Sequence, residues 1–147
     1  MDDLDIKIIG ILQEDGRASN AKIARGVEVS EGTIRRRLKK LIGDNTIQIV
    51  ALPEPSKLGY NTEAMIALQV DPGKIEDVAS ALSESTQTVN VSITTGAFDI
   101  FVWVATYTPE QLHSFILNTI GNIDGVRRSE TFMAMSVKKR TLSVKAK

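Results

Sequence analysis

Around Pro53 and Pro55 the spacing of apolar residues along the chain changes from a helical repeat to a strand repeat. Before these prolines, aliphatic side chains recur at i, i+4 and i+7. After them come alternating or continuous runs of β-branched and aromatic residues. The first region is mainly helical, whereas the second alternates strands with helices. The chain must therefore form two small units joined by a stiff, proline-containing connector.

In the first region Asp2 or Asp3 starts a helix whose stripe is Leu4, Ile8, Ile11 and Leu12, and Gly16 ends it. Ser19 caps a second, short helix that turns Ile23, Ala24 and Val27 inward. Ser30 caps a third, with Glu31 in its first turn where the helix dipole favours an anion. Ile34, Leu38 and Leu41 form the apolar stripe of this third helix, and Arg35, Arg36, Arg37, Lys39 and Lys40 take its other faces. Gly43–Asp44–Asn45 breaks it, and the run Ile47–Leu52 reads as a strand. Three helices followed by one strand describe a winged helix-turn-helix.

The second region begins with a strand over Ala64–Val70, a turn at Pro72–Gly73 and a helix with stripe Ile75, Val78, Ala79 and Leu82. Val89, Val91 and Ile93 alternate with polar residues, Thr95–Gly96–Ala97 turns the chain, and Phe98–Tyr107 forms another strand. Thr108 and Gln111 make a capping box around Pro109 and open a helix with stripe Leu112, Phe115, Ile116 and Ile120. Val126–Val137 is the last strand. The order βαββαβ is that of a ferredoxin-like unit. The fold class is accordingly α+β: an N-terminal winged helix-turn-helix over residues 1–52, a linker over 53–61 and a ferredoxin-like domain over 62–147 with a basic tail. In that topology the helices cover one face of the sheet, yet Ala64–Val70 and Phe98–Tyr107 are apolar on both. The uncovered face, with Phe101 and Trp103, predicts a homodimer burying sheet against sheet.

The zero net charge is a balance of unlike parts. Residues 1–50 are net +1, residues 51–137 net −6, and residues 138–147 carry five basic side chains and no acidic one. A cationic helix set against an acidic remainder points to double-stranded DNA as the partner of the first region only. The N-terminal turn of a recognition helix reaches base edges, which makes Ser30, Glu31, Gly32 and Thr33 candidate DNA contacts, with Arg35, Arg36 and Arg37 one turn later. Lys39 and Lys40 are placed for phosphates, which supply affinity without sequence information.

Other classes find little in the sequence. The longest apolar run, Ile100–Ala105, is too short to span a membrane, and the acidic start (MDDLD) does not resemble a secretory signal. The absence of cysteine removes disulfides and thiolate metal sites and fits a cytoplasmic protein. There is no G-x-G-x-x-G, P-loop or G-x-S-x-G, the single histidine, His113, lies beside a helix stripe, and no cofactor or enzymatic activity is expected.

The stretches LDIKIIGILQEDGRASNAKIA, VSEGTIRRRLKKLIGDNTI, PSKLGY and TTGAFDI, with Gly125–Val126 and Thr131, resemble the Lrp/AsnC (feast/famine) regulators over almost the whole chain. The resemblance implies dimers assembling into tetramers or octamers, and transcription regulation by a small-molecule effector, usually an amino acid. It places that effector around Thr95, Gly96, Ala97 and Asp99, with Thr131 from the last strand. Turn N–H groups there can hold a carboxylate, and Asp99 can accept from an amino group or close the hairpin as a cap. An alternative reading is a DNA-organising protein that needs no effector. Two features depart from the family pattern: Glu28 stands where the turn usually carries glycine, so the turn is expected to differ slightly, and the lysine-rich tail is no family landmark.

Overall fold

A computed structural model describes residues 1–140 and 144–146. It divides into two compact units, residues 1–52 with 140–147, and residues 53–139.

The first unit contains α1 (Asp3–Glu14), α2 (Asn20–Gly26) and α3 (Glu31–Gly43). Each helix starts at a side chain that takes one of its unsatisfied N–H groups: Asp2 accepts from Asp5, Ser19 from Lys22 and Ser30 from Thr33. Asp2 and Asp5 cap reciprocally. Ile8, Ile23, Ala24, Ile34 and Leu41 make the buried core, flanked by Leu4, Ile11, Leu12, Val27 and Leu38, so all three expected stripes converge.

The wing strand expected over Ile47–Leu52 does not form. A strand needs a neighbour to take its N–H and C=O groups, and no described residue forms a ladder with this segment. Ile47 packs on the helical core and donates its N–H to the Leu41 carbonyl at 3.1 Å, while Ile49, Val50 and Leu52 are exposed. The segment from Arg140 onward groups with the first unit.

The second unit opens with a single 3-10 turn at Pro55–Leu58 and continues as β1 (Thr62–Val70), α4 (Ile75–Ser83), β2 (Thr88–Ile93), β3 (Ile100–Thr106), α5 (Pro109–Ser114) and β4 (Val126–Met133). The four strands are antiparallel in the order β2-β3-β1-β4, the expected split βαβ arrangement. Ile66, Leu68, Val70, Ile100, Val102 and Val104 face Val78, Leu82, Leu112, Phe115 and Ile120 in the core. On the opposite face the register sets Met65 between Trp103 and Phe132, and Ala67 beside Phe101. Phe101 and Trp103 are half-buried and Phe132 is exposed.

The last helix departs from the expected regular stripe. After six residues α5 widens into a π turn at Phe115–Thr119 and then tightens at Ile120–Asn122. The core explains the widening. Phe115 and Ile120 are both buried although five residues apart, a spacing that the wider turn keeps on one face better than an α-helix does. The capping box at Thr108 is half made: Thr108 accepts from the Gln111 N–H, but the Gln111 side chain accepts from Tyr107 instead.

Candidate nucleic-acid interface and ligand hairpin

Three buried or half-buried aliphatic residues, Ile34, Leu38 and Leu41, seat α3 and determine which of its side chains reach solvent. At its N-terminus Ser30 Oγ accepts from the Thr33 N–H at 3.2 Å and lies 2.9 Å from Thr33 Oγ1. Ser30, Glu31 and Gly32 are exposed and Thr33 half-buried. Arg35, Arg36, Lys39 and Lys40 are exposed, and Arg35 stands 3.7 Å from Glu31 in a loose i,i+4 pair. Such an exposed pair contributes little and yields readily to a stronger anion.

Arg37 does not share this face. Its Nη1 donates to Asp2 Oδ2 at 2.6 Å and to Asp5 Oδ1 at 3.1 Å, binding α3 to the first turn of α1. The Asp5 side chain is 6% exposed and that of Arg37 27%. The Asp5 N–H and then the Arg37 guanidinium hold the Asp2 carboxyl below its ordinary value. Sequence reasoning set Arg37 beside the other cations because the carboxylates that claim it lie more than thirty residues away.

The turn between α2 and α3 keeps a left-handed residue at the position usually given to glycine: Glu28 has φ 56°. The Val29 N–H reaches back to the Ala24 carbonyl at 3.1 Å. Glu28 thus adopts the left-handed backbone itself, and the strain sits there.

At the hairpin between β2 and β3, Thr95, Gly96 and Ala97 are exposed, and Gly96 adopts φ 116°. Thr94 braces the loop, donating its hydroxyl to the Phe98 carbonyl at 2.9 Å and its N–H to the Asp99 carbonyl at 2.8 Å. Asp99 accepts the Val70 N–H on Oδ2 at 2.8 Å, so one carboxylate oxygen ties the hairpin to the end of β1. Gln69 and Arg127, which the sequence did not single out, complete this corner. Gln69 donates to the Ala97 carbonyl at 2.9 Å and Arg127 to the Val70 carbonyl at 3.1 Å. Thr131 is not gathered here. It pairs with Ile66 on the edge strand β4, and β1 separates it from β3, about 10 Å across the sheet at two strand spacings.

A separate open cleft of about 470 Å³ is lined by Tyr60, Gln87, Thr106, Tyr107, Gln111 and Asn118, among others, and by none of the hairpin residues. Tyr60 and Tyr107 stack there at 4.4 Å between ring centroids. Among the described residues no group of three His, Cys, Asp or Glu side chains could hold a metal ion, and no helix is long and apolar enough to cross a membrane.

Two family models match the chain. Residues 1–42 match the AsnC-type helix-turn-helix domain and residues 63–144 the Lrp/AsnC ligand binding domain. An uncharacterised HTH-type transcriptional regulator of Pyrococcus furiosus is 41% identical over 140 residues, 95% of either chain. The HTH-type transcriptional regulator FL11 of the same organism is 37% identical over 148 residues, covering 100% of this chain and 97% of its own. Among solved structures, a transcriptional regulator/L-Met complex from Neisseria meningitidis superposes with a TM-score of 0.88 at 26% identity, covering 98% and 96% of the two chains. E. coli AsnC superposes at 0.85 with 25% identity and 97% of each.

Proposed function

The chain belongs to the Lrp/AsnC family of transcriptional regulators, and on that premise we propose that it reads a specific DNA site through the N-terminal half of α3 under the control of an amino acid. The observation that carries the DNA reading is the exposed set Arg35, Arg36, Lys39 and Lys40 on a helix anchored by Ile34, Leu38 and Leu41. Arg35 and Arg36, one turn beyond the capped N-terminus, supply the forked donors suited to guanine edges or phosphates. Ser30, Glu31, Gly32 and Thr33 stand at the end that enters the groove. Lys39 and Lys40 add phosphate contacts, and Arg37 orients α3 on α1.

For the ligand, the exposed N–H groups of Gly96 and Ala97 suit a carboxylate. Asp99, with one oxygen given to Val70, keeps the other for an amino group. The Neisseria structure, solved with L-Met, supports an amino acid as the class. Thr131 contributes only from another subunit or through a larger ligand, given its place on the edge strand.

The sheet face bearing Met65, Phe101, Trp103 and Phe132 favours a homodimer, from which tetramers or octamers are built. The unpaired segment Ile47–Leu52 favours it independently, since its exposed β-branched residues and open backbone fit an antiparallel copy of themselves about a two-fold axis. A dimer doubles the reading helix and hence reads a near-palindrome. Selection from a random duplex pool tests this: the enriched site should contain two inverted half-sites separated by whole helical turns. Recovery of bound DNA without any enriched sequence would contradict specific reading and favour the DNA-organising alternative.

A further inference from the structure

We propose that the lysine-rich C-terminal segment is a second nucleic-acid contact of the helix-turn-helix unit, an arm for phosphates that Gln13 holds against α1. The inference rests on the DNA reading above and extends it to residues outside α3. The Gln13 side chain makes two hydrogen bonds to the backbone of this segment: Nε2 donates to the Val144 carbonyl at 2.7 Å, and Oε1 accepts from the Ala146 N–H at 2.8 Å. A carbonyl and the N–H two residues later are the pair that a neighbouring strand residue would take in a parallel ladder. The carboxamide thus replaces a peptide unit and fixes the register of the arm. Both bonds are to backbone, and the Lys145 side chain is exposed.

The charge of the segment gives the hold a purpose. Residues 138–147 carry five basic side chains and no acidic one, whereas residues 51–137 are net −6. From residue 140 onward the segment nevertheless groups with the unit that carries α3, not with the acidic unit from which the chain arrives. Lys145, in the unit of α3, and Lys138 and Lys139, the last residues of the other unit, are exposed, and none of the three makes an ion pair among the described residues. A polyanion bound along the cationic face of α3 would meet this basic segment on the same unit.

The test uses the full chain and a duplex of random sequence, with affinity followed by fluorescence anisotropy over a range of salt concentrations. In the Lys138→Gln/Lys139→Gln/Lys145→Gln variant, which leaves Gln13 and the backbone intact, the plot of log affinity against log salt should flatten by about 0.9 for each phosphate that is no longer neutralised. Gln13→Ala should weaken binding less than this triple variant and speed tryptic cleavage at Lys139 and Arg140. Unchanged slope and affinity in the triple variant, with Arg35→Ala/Arg36→Ala still impaired, would overturn the arm and leave the recognition helix standing. Failure of the parent chain to bind duplex DNA at all would overturn both.

Discussion

Arg37 and Asp2, 35 positions apart in the chain, are joined by a 2.6 Å ion pair that sets α3 against the first turn of α1. The same guanidinium reaches the buried Asp5, and Asp2 caps the helix that Asp5 helps to open. One arginine of the cationic helix thus serves orientation, while its neighbours stay available for a ligand.

Arg37→Ala should lower the melting temperature of the helix-turn-helix unit and weaken DNA binding in proportion to that loss, whereas Arg35→Ala should spare melting. The pair also predicts an acid limit. Because the folded state holds the Asp2 carboxyl below its ordinary 3.8, its contribution is complete above that value and disappears as pH falls through the lower folded one. A thermal-melt series on parent and Asp2→Asn should therefore show a gap that is constant at neutral pH and closes below about pH 4.

Glu28 carries the strain of a left-handed residue, so Glu28→Gly should stabilise the first unit by about 1 kcal/mol or slightly less. Chemical denaturation measures this directly. No gain would mean that the turn relaxes in solution.

Gly125 stands where a side chain has no room. With φ 96°, an added Cβ would lie 2.6 Å from Lys74 Cβ. Gly125→Ala should destabilise the second unit by roughly 2–4 kcal/mol, combining backbone strain with overpacking. The denaturation midpoint checks this prediction.

Asp99 has a structural and a proposed chemical role, and two substitutions separate them. Asp99→Asn keeps an acceptor for the Val70 N–H and removes the charge, so melting should change little while the response to amino acids is lost. Asp99→Ala should also lose about 1–2 kcal/mol of stability. Thermal shift against the twenty amino acids reads both effects, since a ligand at one hundred times its dissociation constant adds about 2.7 kcal/mol to the parent.

What the sequence disclosed depended on the range of the interaction involved. The stripe Ile34–Leu38–Leu41, the caps at Ser19 and Ser30 and the βαββαβ order all follow from neighbours within a few residues, and each was legible. The pairing of Arg37 leaves no local signal, because Asp2 and Asp5 become its neighbours only after α1 and α3 pack. Gln69 and Arg127 gave no signal, since their places at the hairpin corner depend on strand order. The β-branched run Ile47–Leu52 has the composition of a strand but lacks, among the described residues, the partner a ladder requires. The widening after Ser114 was likewise set by where Phe115 and Ile120 had to meet the core.

The central claim is that α3 reads DNA through Arg35 and Arg36. Anisotropy titration of the selected operator with the parent and with Arg35→Ala/Arg36→Ala tests it most directly. Equal melting temperatures are expected, with an affinity at least tenfold weaker for the double variant, a deficit of about 1.4 kcal/mol or more, as when base or phosphate hydrogen bonds disappear. Equal affinity in a folded variant would contradict it.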